Sequence, residues 1–190
     1  MTDNNDTTNT HILSGTSTTG RIGEMSNIAM DQKIRLLETS SGPMRCATHI
    51  LQLETVKAPE FVDITDLVAT ALSNVSINAG LVSIYSLHTT AAIKINESEP
   101  LLMEDMVKFL EHIAPKNAEY HHNDFSIRTV NMTEDECPNG HAHCQHLVLS
   151  SSETIPIVNG KPMLGPWQRI FLIELDRPRS REVMIQAIGV

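Results

Sequence analysis

Aromatic residues are scarce in this 190-residue chain, at 4%, and Trp167 is its single tryptophan. Cations are scarce as well: 14 Lys and Arg stand against 23 Asp and Glu, for a net charge of −9. That balance excludes a nucleic-acid surface, which needs clustered cations to displace counterions from phosphates. A small anionic or phosphorylated ligand is still within reach, because a few convergent arginines suffice. Arg169, Arg177, Arg179 and Arg181 form the one dense basic group. No apolar run approaches the roughly twenty residues that span a bilayer, so no membrane partner is expected. Met1 to Thr10 is polar and acidic, without the basic leader or apolar core of a signal peptide, and a cytoplasmic location follows. Cys46, Cys137 and Cys144 are odd in number and widely spaced, which reads as reduced thiols. Missing too are the glycine patterns of nucleotide-binding loops, a His-Glu-x-x-His helix, a Cys-x-x-Cys pair and a Gly-x-Ser-x-Gly elbow around Ser150-Ser151-Ser152.

Residues 1–30 are rich in Asn, Thr, Ser and Gly and poor in large apolar groups, so a disordered polar tail is expected there, with the domain at 31–190. Strands are expected at Gln32 to Thr39 and Arg45 to Thr55, around a turn at Ser40-Ser41-Gly42-Pro43. Ile64, Leu67, Val68, Ala71, Leu72 and Val75 recur at helical spacing, with Asp63 or Thr65 available as a cap. Leu81 to Ile95 returns to β-character. If that strand is unbroken, His88, Thr90, Lys94 and Asn96 share one face. Pro100 suits the first position of a second helix, carried by Met103, Met106, Val107, Leu110 and Ile113 and stopped at Pro115, with Glu104 and Lys108 spaced for a surface pair. Asn117 to Asn139 loses periodicity and reads as a long structured loop, of the kind that is either functional or mobile. Strands follow at His143 to Leu149, Thr154 to Val158, Ile170 to Leu175 and Val183 to Ile188, and Asn159-Gly160 marks a tight hairpin into Lys161 to Leu164. At least six strands and two helices, unevenly distributed, indicate an α+β domain.

Against these absences stand nine histidines. Six crowd into three stretches, at His88, His121-His122 and His141-x-His143 with His146. On a strand, His141 and His143 would project from one face, and His88 or His122 would add a third ligand for a catalytic zinc with an open position. Acid–base or anion-binding histidines without a metal, and plain structural hydrogen bonding, remain open beside that reading. His146 falls on the other strand parity. Glu97 reads as a general base, a metal ligand or an ordinary helix-entry acid. Asp105, inside the second helix, reads as a solvent-facing residue or as a support for a ligating histidine. Trp167 suits a core or subunit-interface anchor, or a pocket wall.

These residues also carry a likeness. His88-Thr89-Thr90-Ala91-Ala92-Ile93 with Asn96-Glu97, Tyr120 to Asp124, His143, Thr154-Ile155-Pro156, Asn159-Gly160, Leu164-Gly165-Pro166-Trp167-Gln168 and Glu174-x-Asp176-x-x-Arg179-x-Arg181 resemble, in order, the motifs of the YjbQ-like family of uncharacterised proteins, also called secondary thiamine-phosphate synthases. The likeness spans roughly Gln32 to Val190. It departs from the family pattern at Ser150, Glu153 and Pro166. The resemblance implies a compact α+β fold with largely antiparallel sheets, a homotrimer, and a histidine-rich pocket near the subunit boundary that takes a metal or an anion. It implies metal ligation by His88, His122 and His143, and catalytic roles for Glu97, Asp105, Arg179 and Arg181; His141, which its spacing and not the family pattern supports, is a reserve ligand. Ligand contacts fall to Thr89, Thr90, Asn96, Trp167 and Gln168. The expected cofactor is a divalent metal, zinc foremost, or magnesium if the substrate is a diphosphate. The expected activity is that of a metal-dependent enzyme of unsettled substrate, with a weak thiamine-phosphate synthase capacity. The alternatives are a metal-assisted hydrolase, with Glu97 as base, and a non-enzymatic metal- or anion-binding trimer.

Overall fold

A computed structural model describes residues 40–190; the expected tail, the domain start at Asp31 and the strand at 32–39 lie outside the described residues. Among the described residues are eight strands and three α-helices, in the order β1 (Arg45–Glu54), β2 (Glu60–Asp63), α1 (Thr65–Ser73), β3 (Gly80–Ser86), β4 (Ala91–Glu97), α2 (Pro100–Ile113), α3 (Gly140–Val148), β5 (Ser152–Val158), β6 (Lys161–Pro162), β7 (Gln168–Glu174) and β8 (Ser180–Gly189). A 3-10 turn at His121–Asn123 sits in the long loop before α3. The fold is α+β, and every strand pairing in its two sheets is antiparallel.

The larger sheet has the order β1-β8-β3-β5-β6 and the smaller β2-β7-β4. Their facing sides enclose the main core. Val82, Ile84, Ile155, Val183 and Ile185 come from the larger sheet and Ala91, Ile93, Ile170 and Leu172 from the smaller, with Ile64, Val68 and Leu72 of α1 packed against them. The reverse side of the smaller sheet presents Ala92, Phe171 and Ile173 to Leu110 of α2 and Ala142 of α3. β7 is therefore covered on both faces, which is why Ile170 to Ile173 is an unbroken apolar run. β8 is covered on one face and alternates.

Two expectations fail in ways that bear on function. Leu81 to Ile95 is not one strand: the chain leaves the larger sheet after Ser86, turns through Leu87 to Thr90 and enters the smaller sheet at Ala91. Ser86 Oγ donates to Ala91 O at 2.6 Å and closes that turn. His88 and Thr90 thus lie on the turn, while Lys94 and Asn96 lie along β4. The second failure is His143 to Leu149, which belongs to helix α3. The His-Ala-His alternation imitates a strand face, but the helix is set from outside, by Asn123 Oδ1 accepting the Gly140 N–H at 2.8 Å. Strand β2 is an unexpected element, and the N-cap of α1 is Ile64, without a side-chain cap bond, not Asp63 or Thr65; the other main elements hold. α2 has the expected Pro100 start and ends at Ile113, and Glu99 accepts N–H groups from Leu101 and Leu102. Asn159 and Gly160 take φ of 50° and 71°, the left-handed pair of a tight hairpin turn.

Candidate functional site

The turn between β3 and β4 packs against the β7–β8 turn. Leu175 N–H donates to Thr90 O at 3.1 Å, and Leu87 N–H donates to Glu182 O at 3.3 Å. Beneath this junction Arg181 and Glu174 form a core ion pair, 2% and 0% exposed. Arg181 Nε and Nη2 each reach a Glu174 oxygen at 2.5 Å, and Nη2 also donates to Thr90 Oγ1 at 3.1 Å. Glu174 further accepts Thr55 Oγ1–H and the N–H groups of Leu175 and Asp176. The expected catalytic Arg181 and ligand-binding Thr90 are therefore buried joints of the scaffold. Thr89 is exposed on the turn.

His88 is half-buried, and its Nε2 accepts the Glu182 N–H at 2.8 Å. That bond places the proton of the neutral ring on Nδ1. Burial lowers its pKa, helped by the Arg181 charge. His88 is thus a neutral donor through Nδ1, with its basic nitrogen already engaged.

A second cluster surrounds Asp176, a buried carboxylate that accepts from Asn139 Nδ2 at 3.3 Å, pairs with Arg179 Nη1 at 3.4 Å and meets Cys137 Sγ at 3.7 Å. Burial, then the Asp176 charge, pushes the Cys137 thiol pKa up. Arg177 touches the same sulfur and reaches Asp135. Arg179 joins it there: Nη2 of each arginine converges on Asp135 Oδ2, at 3.1 and 3.4 Å, and the Asp135 side chain is 72% exposed. His122 and His143 face one another edge to face, with ring centroids 4.7 Å apart. Burial lowers the pKa of His143, and the neighbouring His122 and Arg128 add to this against the opposing pull of Asp176. His122 Nε2 is buried with no hydrogen-bond partner. Arg128 holds the loop behind it through Glu136 at 3.3 Å and Asn131 O at 2.8 Å.

Gly140 makes this histidine pair possible. A Cβ there would stand 2.6 Å from Tyr120 Cβ, so only glycine lets the 120–123 segment lie against the start of α3. On that helix, residues two apart are separated by roughly 200°, so His141 and His143 point to opposite sides. His141 is buried toward Leu175, its Nδ1 unpartnered, and it does not join His143. His146, three positions on, returns to within roughly 60° of His143 and is among the rings that act on it.

The expected three-histidine zinc centre is not assembled. Among the described residues no three or more His, Cys, Asp or Glu converge to hold a metal. His122 and His143 supply two imidazoles of the right kind, but the described residues of the single chain bring no third donor to them, and His88 has its Nε2 bonded to Glu182.

The other expected site residues lie elsewhere. Ala91 pairs with Glu174 at one end of β4 and Glu97 with Gln168 at the other, six residues or about 20 Å apart. Glu97, Asn96, Trp167 and Gln168 occupy that far end. Trp167 is 71% exposed on the loop before β7 and anchors no core. Gln168 Oε1 accepts the Gly165 N–H at 2.8 Å. Asp105 faces solvent on α2 and pairs with Lys108 at 3.0 Å, the partner expected for Glu104, and supports no histidine. Asp135, Arg128 and Asn139 carry no expected role from the sequence, and Asp176 appears there only inside a motif, without a role of its own. The Glu174-x-Asp176 repeat beside the arginines was the available signal.

A model of the UPF0047 protein YjbQ-like family matches residues 49–190. A UPF0047 protein of Methanothermobacter thermautotrophicus is 36% identical over 77% of this chain and 94% of its own length. One of Methanocaldococcus jannaschii is 39% identical over 73% and 91%. Among solved structures, a YbjQ-like protein of unknown function from Sulfolobus solfataricus superposes with a TM-score of 0.70 at 32% identity, covering 78% of this chain and 100% of that one. A hypothetical protein from Aeropyrum pernix gives 0.67 at 35%, covering 76% and 99%.

Proposed function

The chain belongs to the UPF0047 YjbQ-like family, and from that premise we propose that it is an enzyme that moves a proton on a small phosphorylated molecule at the His122–His143–Asp176 cluster. The observation that carries this reading is the convergence of Arg177 and Arg179 on one exposed carboxylate oxygen, Asp135 Oδ2. That carboxylate stands where a phosphoryl oxygen would sit, and two guanidinium groups aimed at one oxygen are a phosphate-type receptor. Arg179 also pairs with Asp176, which acts on His143. The anion and the proton-transfer group are thereby linked. A His143 kept neutral by burial is ready to accept a proton near pH 7. The unpartnered His122 nitrogen marks where a substrate group completes the site.

The transfer implied by the family's alternative name would use the same anion receptor, although its bond-making step moves no proton. The ring nitrogen of a thiazole phosphate bonds to the methylene carbon of a hydroxymethylpyrimidine diphosphate, the methylene carbon–oxygen bond breaks, and pyrophosphate leaves with its electron pair. Arg177 and Arg179 would meet the phosphate charge. A second reading is favoured by the same unpartnered nitrogen. In it, His122 and His143 hold a divalent ion such as zinc, completed by a second copy of the chain within a homotrimer.

The test is turnover of thiazole phosphate with the pyrimidine diphosphate, and of a panel of phosphate esters, by wild type, His122→Ala and His143→Ala, with metal content per chain measured alongside. Turnover lost in both variants, and inorganic phosphate bound more tightly by Asp135→Asn, supports the proposal. Turnover unchanged in both variants, or phosphate affinity unmoved by Asp135→Asn, overturns it. One ion per chain that disappears in both variants favours the second reading.

A further inference from the structure

We propose that the cavity beneath α2 is a second binding site, for a monocyclic aromatic carboxylate. α2 is amphipathic by spacing, yet Leu110 is its one buried residue. The helix spans a gap of about 180 Å³ over the reverse face of the smaller sheet. The gap is partly open to solvent, and its size matches apolar cavities of about 150 Å³ that elsewhere accept benzene.

The composition of the walls makes this more than loose packing. The chain has four phenylalanines, and three line this one groove: Phe171 buried in its floor, Phe61 half-buried, and Phe109 exposed at its rim. Phe61 and Phe171 are already edge to face, with centroids 6.0 Å apart, an arrangement that extends readily to a third ring.

The mouth is polar. Lys94 and Asn96, on the β4 face turned toward α2, replace the apolar residues that would otherwise fill the space. Lys94 Nζ bonds Glu153 at 2.8 Å and Ser150 Oγ at 3.4 Å, which leaves one of its three donors for a ligand. Asn96 Nδ2 donates only to a thioether, Met106 Sδ at 3.7 Å, a weak partner that a carboxylate oxygen would displace. The ring therefore enters the phenylalanine slot and the carboxylate meets Lys94 and Asn96. Because Glu153 already balances Lys94, the ring supplies most of the affinity and the charge sets the preference. None of these residues belongs to the histidine cluster, so this site stands or falls independently of it.

The test is 19F NMR titration of 4-fluorobenzoate and 4-fluorobenzamide into the full-length protein, with urea melts to establish that each variant is folded. Saturable binding of the benzoate is expected. Lys94→Met should weaken it by roughly tenfold, the scale of one charged contact, and leave the benzamide unchanged. Leu149→Trp, which fills the cavity from its wall, should abolish both. Should that variant fail to fold, Met106→Trp fills the slot from the helix side with the same expected loss. No saturable binding to folded wild type, or binding indifferent to both filling variants, overturns the proposal.

Discussion

Arg181→Met puts the scaffold reading of the Arg181–Glu174 pair at risk. Arg181 is an obvious candidate for contacting an anion, yet both partners are sealed in the core and share two 2.5 Å contacts. Removing one partner of a buried pair leaves an uncompensated charge and costs about 3–5 kcal/mol. The stability of a domain this size is about 5–15 kcal/mol, so the loss is a large share of the total. With a urea m-value near 2 kcal/mol/M, the midpoint should fall by about 2 M. Glu174→Gln should cost a similar amount, because Arg181 would then be the stranded charge. The double variant, Arg181→Met with Glu174→Gln, should be distinctly more stable than the two losses added together, since no lone charge remains. Urea unfolding followed by circular dichroism measures all three. A loss below about 1 kcal/mol for Arg181→Met, within the range of an exposed pair, would refute the reasoning. So would an additive double variant.

Other perturbations probe the histidines and their support. Burial lowers the pKa of His88, His141, His143 and His146. The unfolded chain therefore binds more protons as pH drops below about 6.5. Stability should be level above about pH 7 and fall progressively from pH 6.5 downward, and a urea midpoint unchanged between pH 7.5 and 5.5 would contradict this. Gly140→Ala forces a methyl group onto Tyr120; a cost of about 1–3 kcal/mol is expected, together with changed His122 and His143 ring signals by NMR, and unshifted signals would count against the close approach. Asp105→Asn removes only a solvent-exposed pair with Lys108, so its urea midpoint should match that of wild type. A lower midpoint would give Asp105 a role that its position does not.

Where one periodicity dominated, the sequence was sufficient. α1, α2, the Asn159-Gly160 hairpin and the covered run in β7 each have a local cause, and each stands where spacing and turn chemistry put it. α3 was hidden because its start is fixed by Asn123, seventeen residues away, and its histidines alternate with small residues. A strand and a helix then compete on pattern alone, and the tertiary contact decides. That one reassignment reorganises the site: His141 turns away from His143, and His146 turns toward it. The break at Leu87 has a wider consequence. Were Leu81 to Ile95 continuous, His88 and Asn96 would share a face. Because the chain changes sheets there, the motif residues divide between the two ends of β4, His88 and Thr90 at one, Asn96 and Glu97 at the other. Linear order could not show that division, since adjacent motif positions look like one site until the turn between them is known. Any chemistry needing Glu97 together with His88 in one chain would have to bridge the length of β4, and the proton transfer proposed at Asp176 does not.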